Sequence, residues 1–236
     1  MSIVDNVATI RRRMDAAAIA AGRDPKDILL CAATKMNNTE NVRAAIAAGV
    51  DCCGENKVQE LTEKLAQDAY RGAPVHFIGH LQTNKVRQVV GKVDLIQSVD
   101  SLRLLDAIQK EAAKQSLVQD ILLEINIAGE ASKSGFSVEE LYAVLPKISA
   151  FPNLRVVGLM AIPPICHISG ENDKFFQEMC NLSVDITAKK YDNVWVRFLS
   201  MGMSDDFEQA IAHGSNMIRV GTAIFGARDY SKSVQN

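Results

Sequence analysis

Short apolar runs of four to seven residues recur along the chain, separated by longer stretches in which apolar residues return every third or fourth position. The runs Ile28–Ala33, Val50–Cys53, Val75–Ile78, Val93–Gln97, Ile121–Ile127, Leu154–Leu159, Val194–Leu199 and Met217–Val220 predict strands. Between them, Thr39–Ala48, Lys57–Tyr70, Thr83–Val90, Leu102–Gln115, Val138–Ser149, Asp173–Lys190 and Asp205–His213 predict helices. Gly49, Gly72, Gly91 and Gly214 stand as stop signals behind four of these. One additional helix precedes the first strand. Ser2 can cap it, Ile3, Val7, Ile10 and Met14 fall on one face, and Gly22 stops it before Pro25.

Strict alternation of strand and helix calls for parallel strands joined by right-handed crossovers. Eight such units in 236 residues predict an α/β fold that closes as a single (β/α)8 TIM-type barrel. An open doubly wound sheet is the competing architecture. It is disfavoured because the segment after the first strand, Cys31-Ala-Ala-Thr-Lys35, lacks the glycines of a dinucleotide-binding turn. With no linker or low-complexity tract, residues 1–230 are expected to form one domain, followed by a tail at 231–236.

Composition narrows the function classes. Apolar residues make up 47% of the chain and charged ones 23%, interleaved to a formal net charge of −2, so no basic field exists to attract nucleic acid. No apolar run approaches the roughly 20 residues a membrane helix needs, and Met-Ser-Ile-Val-Asp is not the start of a signal peptide. The five cysteines include no C-x-x-C pair, and Cys31, Cys52 and Cys53 sit in apolar stretches, as buried thiols of a cytoplasmic protein would.

The chemistry-bearing residues cluster just after the predicted strands. In a parallel barrel these positions converge on one face, where the site is built. Lys35 follows the first strand, where partial desolvation would lower its pKa toward nucleophilic use; a solvated surface lysine is the alternative. The loops after the last two strands read Ser200-Met-Gly-Met-Ser204 and Gly221-Thr222, and glycine and hydroxyl groups there suit a phosphate. Ser204 also fits the N-cap of the helix predicted to begin at Asp205. Arg219, on the last strand, either pairs with a barrel carboxylate or donates to a ring atom of a ligand. A lysine facing an anion site implies a phosphorylated aldehyde held as a Schiff base. Glu55 and Asn56 follow the second strand, where an Asx turn competes with ligand contact. Met160 could pack on a planar ring or in the core. His76 and His80 have a metal-like spacing, but on a strand it separates them by roughly 13 Å, so no metal site is expected.

With these residues placed, the chain resembles the pyridoxal-phosphate homeostasis proteins, which share their barrel with the N-terminal domain of alanine racemase. The resemblance runs through nearly the whole sequence. It is carried by Gly54-Glu-Asn56 with Val58-Gln-Glu60, His76-Phe-Ile-Gly-His-Leu-Gln-Thr-Asn-Lys85, Ser132-Lys-Ser-Gly135, Gly158-Leu-Met-Ala-Ile-Pro163, Leu199-Ser-Met-Gly-Met-Ser-Asp-Asp206 and Arg219-Val-Gly-Thr-Ala-Ile-Phe-Gly226. It implies pyridoxal 5'-phosphate (PLP) as cofactor, with Lys35 carrying the Schiff base. Ser200, the backbone at Met201, Gly221 and Thr222 would hold the phosphate, Arg219 would face the pyridine nitrogen, and Asn56 and Met160 would flank the ring. One local departure is Ala33-Thr-Lys-Met36, where members often have serine before the lysine and threonine after it.

The function this implies is intracellular PLP homeostasis, storage or delivery, without established turnover. Racemisation needs acid and base on both faces of a carbanion. In the related racemases a second domain completes that arrangement, and the sequence after the eighth strand leaves no room for one. A weak amino-acid racemase and a Schiff-base aldolase acting on a phosphosugar are the alternatives. Lys133, in the Ser-Lys-Ser-Gly turn, is either a solvated loop residue or a second amine that relays cofactor. A monomer is expected, with PLP-dependent client enzymes or salvage enzymes as partners.

Overall fold

The computed structural model describes residues 2–164 and 170–226, so the 231–236 tail lies outside the described residues. Its strands are β1 (Leu29–Ala33), β2 (Cys52–Glu55), β3 (Val75–Phe77), β4 (Leu95–Val99), β5 (Gln119–Ile125), β6 (Leu154–Ala161), β7 (Val194–Ser200) and β8 (Met217–Val220). Each pairs in parallel with the next, and β8 pairs with β1 to close the barrel that the alternating pattern predicts.

The helices are α1 (Ile3–Ala20), α2 (Thr39–Ala47), α3 (Val58–Ala66), α4 (Leu102–Lys114), α5 (Val138–Val144), α6 (Asp173–Lys189), α7 (Phe207–Ala212) and α8 (Thr222–Phe225). The N-terminal helix α1 forms as expected. Ser2 and Asp5 cap each other's backbone reciprocally, and Val7, Ile10, Met14 and Ala18 bury one stripe. That stripe lies against α7, α8 and α2, so α1 covers the seam where the last strand meets the first. Asn6 Nδ2 fixes the contact by donating to Ile224 O at 2.8 Å.

Three departures from the predicted elements have local causes. The segment before β4 forms a 3-10 helix at Thr83–Gln88 rather than an α-helix, with Val86 and Val89 buried one tight turn apart. The helix predicted over 138–149 ends its α-helical part at Val144. Pro146 has no N–H to continue the ladder, and a 3-10 turn covers Leu145–Ala150. Ser204 is not the N-cap of the next helix, because α7 starts only at Phe207; Asp206 instead accepts the Met203 N–H at 2.7 Å. The Ser204 hydroxyl accepts from Ala223 N across the β8 loop.

Two apolar layers hold the barrel. The larger lies between strands and helices; the smaller, inside the barrel, joins Cys31, Cys52, Leu95, Leu122, Val157, Met160 and Met217. Interior positions of such barrels are mostly filled by branched aliphatics. Here His76, Gln97, Glu124, Ser200 and Arg219 are buried as well. Cys31, Cys52 and Cys53 are buried free thiols, as the sequence implied. No helix among the described residues is long and apolar enough to cross a membrane.

The register of β6 shifts between Val156 and Gly158, and this irregularity sets Met160 beside Glu124 on β5 and Ser200 on β7. It depends on glycine: a Cβ at position 158 would stand 1.9 Å from Phe198 O, a backbone atom that cannot swing away. Gly158→Ala is therefore expected to destabilise the fold by about 3 kcal/mol or more. A denaturant midpoint within experimental error of the parent would show that the shift does not require glycine.

Candidate functional site

Lys35 sits on the turn just beyond β1, half-buried, and its neighbours are tied down from β2 and α3. Glu55, fully buried at the end of β2, is the anchor. Its Oε1 receives Thr34 Oγ1 at 2.5 Å, Lys64 Nζ at 2.6 Å and Tyr70 OH at 2.9 Å. Lys64 Nζ also donates to Thr34 O at 2.7 Å. On the other side of Lys35, the Met36 N–H donates to Glu60 Oε2 at 2.6 Å. Met36 itself is held in the left-handed region at φ 61° with its side chain exposed. The departure at this position thus leaves the turn's hydrogen bonding to backbone and to Thr34. Burial beside Glu55 pushes the Tyr70 phenol far above its ordinary value, so Tyr70 remains a donor.

Asn56 follows directly on β2, and its Oδ1 is buried without a hydrogen-bond partner among the described residues. The loop after β3 nests against it through Gly79, where a Cβ would meet Asn56 O at 2.1 Å. Ile78 N donates to Glu55 O at 2.8 Å, and Ser98 Oγ to Gly79 O at 2.5 Å, so β2, β3 and β4 share this corner.

Across the barrel, Arg219 is only 5% exposed. Its Nη1 donates to Ser200 Oγ at 2.6 Å and its Nη2 to Ala161 O at 2.8 Å. Among the described residues no carboxylate forms an ion pair with it, which removes the barrel salt bridge from the two readings of this residue. Burial lowers its pKa, opposed by Cys31, Glu124 and Asp206. Ser200 Oγ in turn donates to Gln97 Oε1 at 2.7 Å, and the Met201 N–H donates to Met217 O at 3.2 Å. Both are fully buried, as is Met160. Gly221 borders Ala33 of β1, and Thr222 is exposed as the first residue of α8, where no intrahelical carbonyl precedes its N–H. The structure thus gathers Lys35, Asn56, Met160, Ser200, Met201, Arg219, Gly221 and Thr222 at the C-terminal ends of β1, β2, β6, β7 and β8.

Sequence reasoning passed over Glu124, Gln97, Lys64 and Tyr70. Glu124 is 8% exposed on β5, and burial and the nearby Asp100 raise its carboxyl to about 7, against the pull of Arg219 and His80. Its signal was a lone acid in the apolar run Ile121-Leu-Leu-Glu-Ile125. His80 is far from acting with His76: it is exposed and lies 3.1 Å from Asp100 Oδ2, with Ser134 Oγ 3.4 Å away. Lys133, next to Ser134, is exposed. Beneath the site, the neighbouring Cys52 thiol lowers the pKa of Cys31, while Cys31 and burial raise that of Cys52.

The site's residues fit a planar ligand carrying an aldehyde, a ring acceptor and an anion. The fit rests on a lysine set on a braced turn, the unsatisfied Asn56 Oδ1, and a guanidinium that commits two of its N–H groups to the protein and has five in all.

Fold and site together define a barrel of the alanine racemase type, and the family model described as alanine racemase, N-terminal domain, matches residues 2–229. The pyridoxal phosphate homeostasis protein of Aquifex aeolicus is 39% identical over 230 residues, which is 98% of this chain and 100% of that protein. Its counterpart in Escherichia coli K12 is 39% identical over 233 residues, 98% of each chain. The chain belongs to the pyridoxal phosphate homeostasis protein family. PipY of Synechococcus elongatus, solved with PLP bound, is 30% identical with a TM-score of 0.82 over 95% of this chain and 100% of that one. An alanine racemase of Clostridium difficile shares the fold alone, at 14% identity and a TM-score of 0.72, with this chain covering 57% of its length.

Glu124 gives the apo protein a pH signature. Its folded pKa of about 7 lies above the ordinary 4.5, so its contribution to stability is full below pH 4.5 and is lost as pH rises through 7. Glu124→Gln removes that loss. The variant is expected to exceed the parent by about 3 kcal/mol above pH 7.5 and to converge with it near pH 4.5, as read from denaturation at several pH values. A difference that does not vary with pH would show that Glu124 titrates normally.

Proposed function

We propose that this protein binds PLP at the mouth of the barrel and serves its homeostasis in the cytoplasm, with Lys35 as the amine that holds the aldehyde. The observation that carries this reading is the Lys35 turn clamped by Glu55, Lys64 and Glu60. A solvated surface lysine needs no such brace. The printed descriptions of the relatives support it, since they name PLP homeostasis proteins and a PLP-bound neighbour.

When bound, PLP supplies an aldehyde that condenses reversibly with an amine and a ring that can draw electrons from the attached carbon. In this reading Gly221 and Thr222 hold the phosphate, Asn56 and Met160 flank the ring, and Arg219 donates to the ring nitrogen. The Met201 N–H, expected to hold the phosphate, is instead committed to Met217 O, so Met201 shapes the loop just beyond β7. Ser200 reaches the phosphate only by withdrawing its proton from Gln97. A guanidinium opposite the ring nitrogen leaves that nitrogen unprotonated, which weakens the ring as an electron sink and favours holding the cofactor over carbanion chemistry. The protein acts as a monomeric carrier that exchanges PLP with client or salvage enzymes.

A weak racemase is the second reading. Glu124 favours it, because a carboxyl poised near 7 at the barrel mouth can move a proton at neutral pH.

Adding PLP, reducing with borohydride and mapping the peptides is expected to place the added mass on Lys35 alone, and Lys35→Ala to lose it. Label scattered over surface lysines would overturn the carrier and leave a phosphosugar aldolase as the better reading. Alanine incubated with the loaded protein in deuterium oxide separates the two PLP readings. Exchange no faster than with free PLP supports the carrier, whereas exchange abolished by Glu124→Gln establishes the racemase.

A further inference from the structure

Cys31 on β1, Cys52 on β2 and His76 on β3 turn inward at neighbouring positions of consecutive strands. Cys31 and Cys52 are register partners, and Gly54, two residues beyond Cys52, is the partner of His76. One ligand atom from each lies within 4.8 Å of the other two, and the three residues are 0%, 2% and 7% exposed. Cys52 Sγ stands 3.5 Å from His76 Nδ1. Metal–sulfur and metal–nitrogen bonds of about 2.3 and 2.0 Å at a tetrahedral angle separate the two donors by about 3.5 Å. The protein side of that edge is already in place.

The imidazole also presents the correct nitrogen, and the reason begins with Arg219. Arginine only donates. Ser200 Oγ therefore accepts from it and spends its own proton on Gln97 Oε1. That orients the Gln97 amide so that Nε2, the donor, faces His76 Nδ1 at 2.9 Å and Met217 Sδ at 3.1 Å. His76 Nδ1 must then carry a lone pair, as a metal ligand requires. Arg219 is also the register partner of Cys31, which sets a fixed positive charge near a sulfur that loses its proton on ligation.

We propose that Cys31, Cys52 and His76 bind one thiophilic d10 cation, Zn(II) or Cu(I), inside the barrel beneath the candidate PLP site. Three bonds form, to the two Sγ atoms and to His76 Nδ1. Both thiol protons leave to solvent, His76 releases none, and the hydrogen bond from Gln97 to Nδ1 breaks while its contact with Met217 remains. No electron is transferred. Met217 Sδ, from the same interior cluster, offers a fourth soft donor suited to Cu(I), whereas Zn(II) accommodates a water there. Because the donors are enclosed, the cation enters as the chain folds. The inference does not depend on the PLP reading.

The test uses the full chain, purified from cells grown with added zinc or added copper and also refolded under reducing conditions with Co(II) as a spectroscopic probe. About one metal per chain is expected by mass spectrometry, together with sulfur-to-cobalt charge-transfer absorption. The growth condition that loads the protein identifies the ion. Cys31→Ser and Cys52→Ser should each cut the metal content by roughly tenfold or more. Cys53→Ser should keep it, since Cys53 packs in the outer apolar layer. The cobalt spectrum of the unsubstituted chain reads sulfur ligation directly, so the test survives a variant that fails to fold. A metal-free protein after both loadings, the absence of charge-transfer bands, or Cys31 and Cys52 recovered as a disulfide would each overturn the site.

Discussion

The buried carboxylate of Glu55 is the constraint from which the upper face of the barrel is built. Three donors converge on one of its oxygens, from the turn after β1, from α3 and from the turn after α3. An ion pair such as Glu55–Lys64 adds little net stability when enclosed, because desolvation offsets its attraction. Its effect is positional. Removing one partner would strand a charge in the interior, so the Lys35 turn, α3 and Tyr70 can only dock together. The same strand end then sets Asn56 and, through Gly79, the loop after β3. A lysine proposed to hold a ligand in one geometry needs such a brace, because its own flexible stem supplies none.

A second polar system runs through the barrel where most barrels carry aliphatic layers. Arg219, Ser200, Gln97 and His76 form one continuous chain of hydrogen bonds. Interior polar groups forgo apolar burial, and each must be satisfied to be tolerated. Cohesion therefore rests on the outer layer between strands and helices, including the seam covered by α1. The division leaves the interior free to hold function while the periphery holds the fold.

The strands were legible because parallel, doubly buried strands read as plain apolar runs, and most helices because their caps and glycine stops are local signals. The 3-10 helix at Thr83–Gln88 was not, since a segment so short is shaped by the two strands it must connect. That Lys35, Arg219 and the glycine loops share one face was legible by position, because strand ends converge in a barrel. Glu55 was seen as a ligand or turn candidate, and its partners Lys64 and Tyr70 were invisible: one lies in a helix and the other beyond it, with nothing local to mark that they meet at one carboxylate. Ser200 carried an ambiguity that sequence could not resolve, since a hydroxyl beside a phosphate loop reads as a donor whether its proton points up or down. His76 was weighed only against His80, four residues on, whereas its partners are neighbours across the sheet.

The direction of the interior chain links its two ends. Every member except Arg219 can reverse its role: a serine hydroxyl can turn, an amide can flip, and an imidazole can change tautomer. Arg219 cannot accept, and its second guanidinium nitrogen is tied to Ala161 O on β6. One residue without a lone pair thus fixes the proton on Ser200, the orientation of Gln97 and the bare nitrogen of His76. The Ser200 proton points toward the barrel floor for the same reason that His76 can face the two thiols as an acceptor. Replacing the arginine by a residue able to accept would release this polarity along its whole length. Arg219 therefore governs the sulfur layer as firmly as it governs the face on which the ring is proposed to sit.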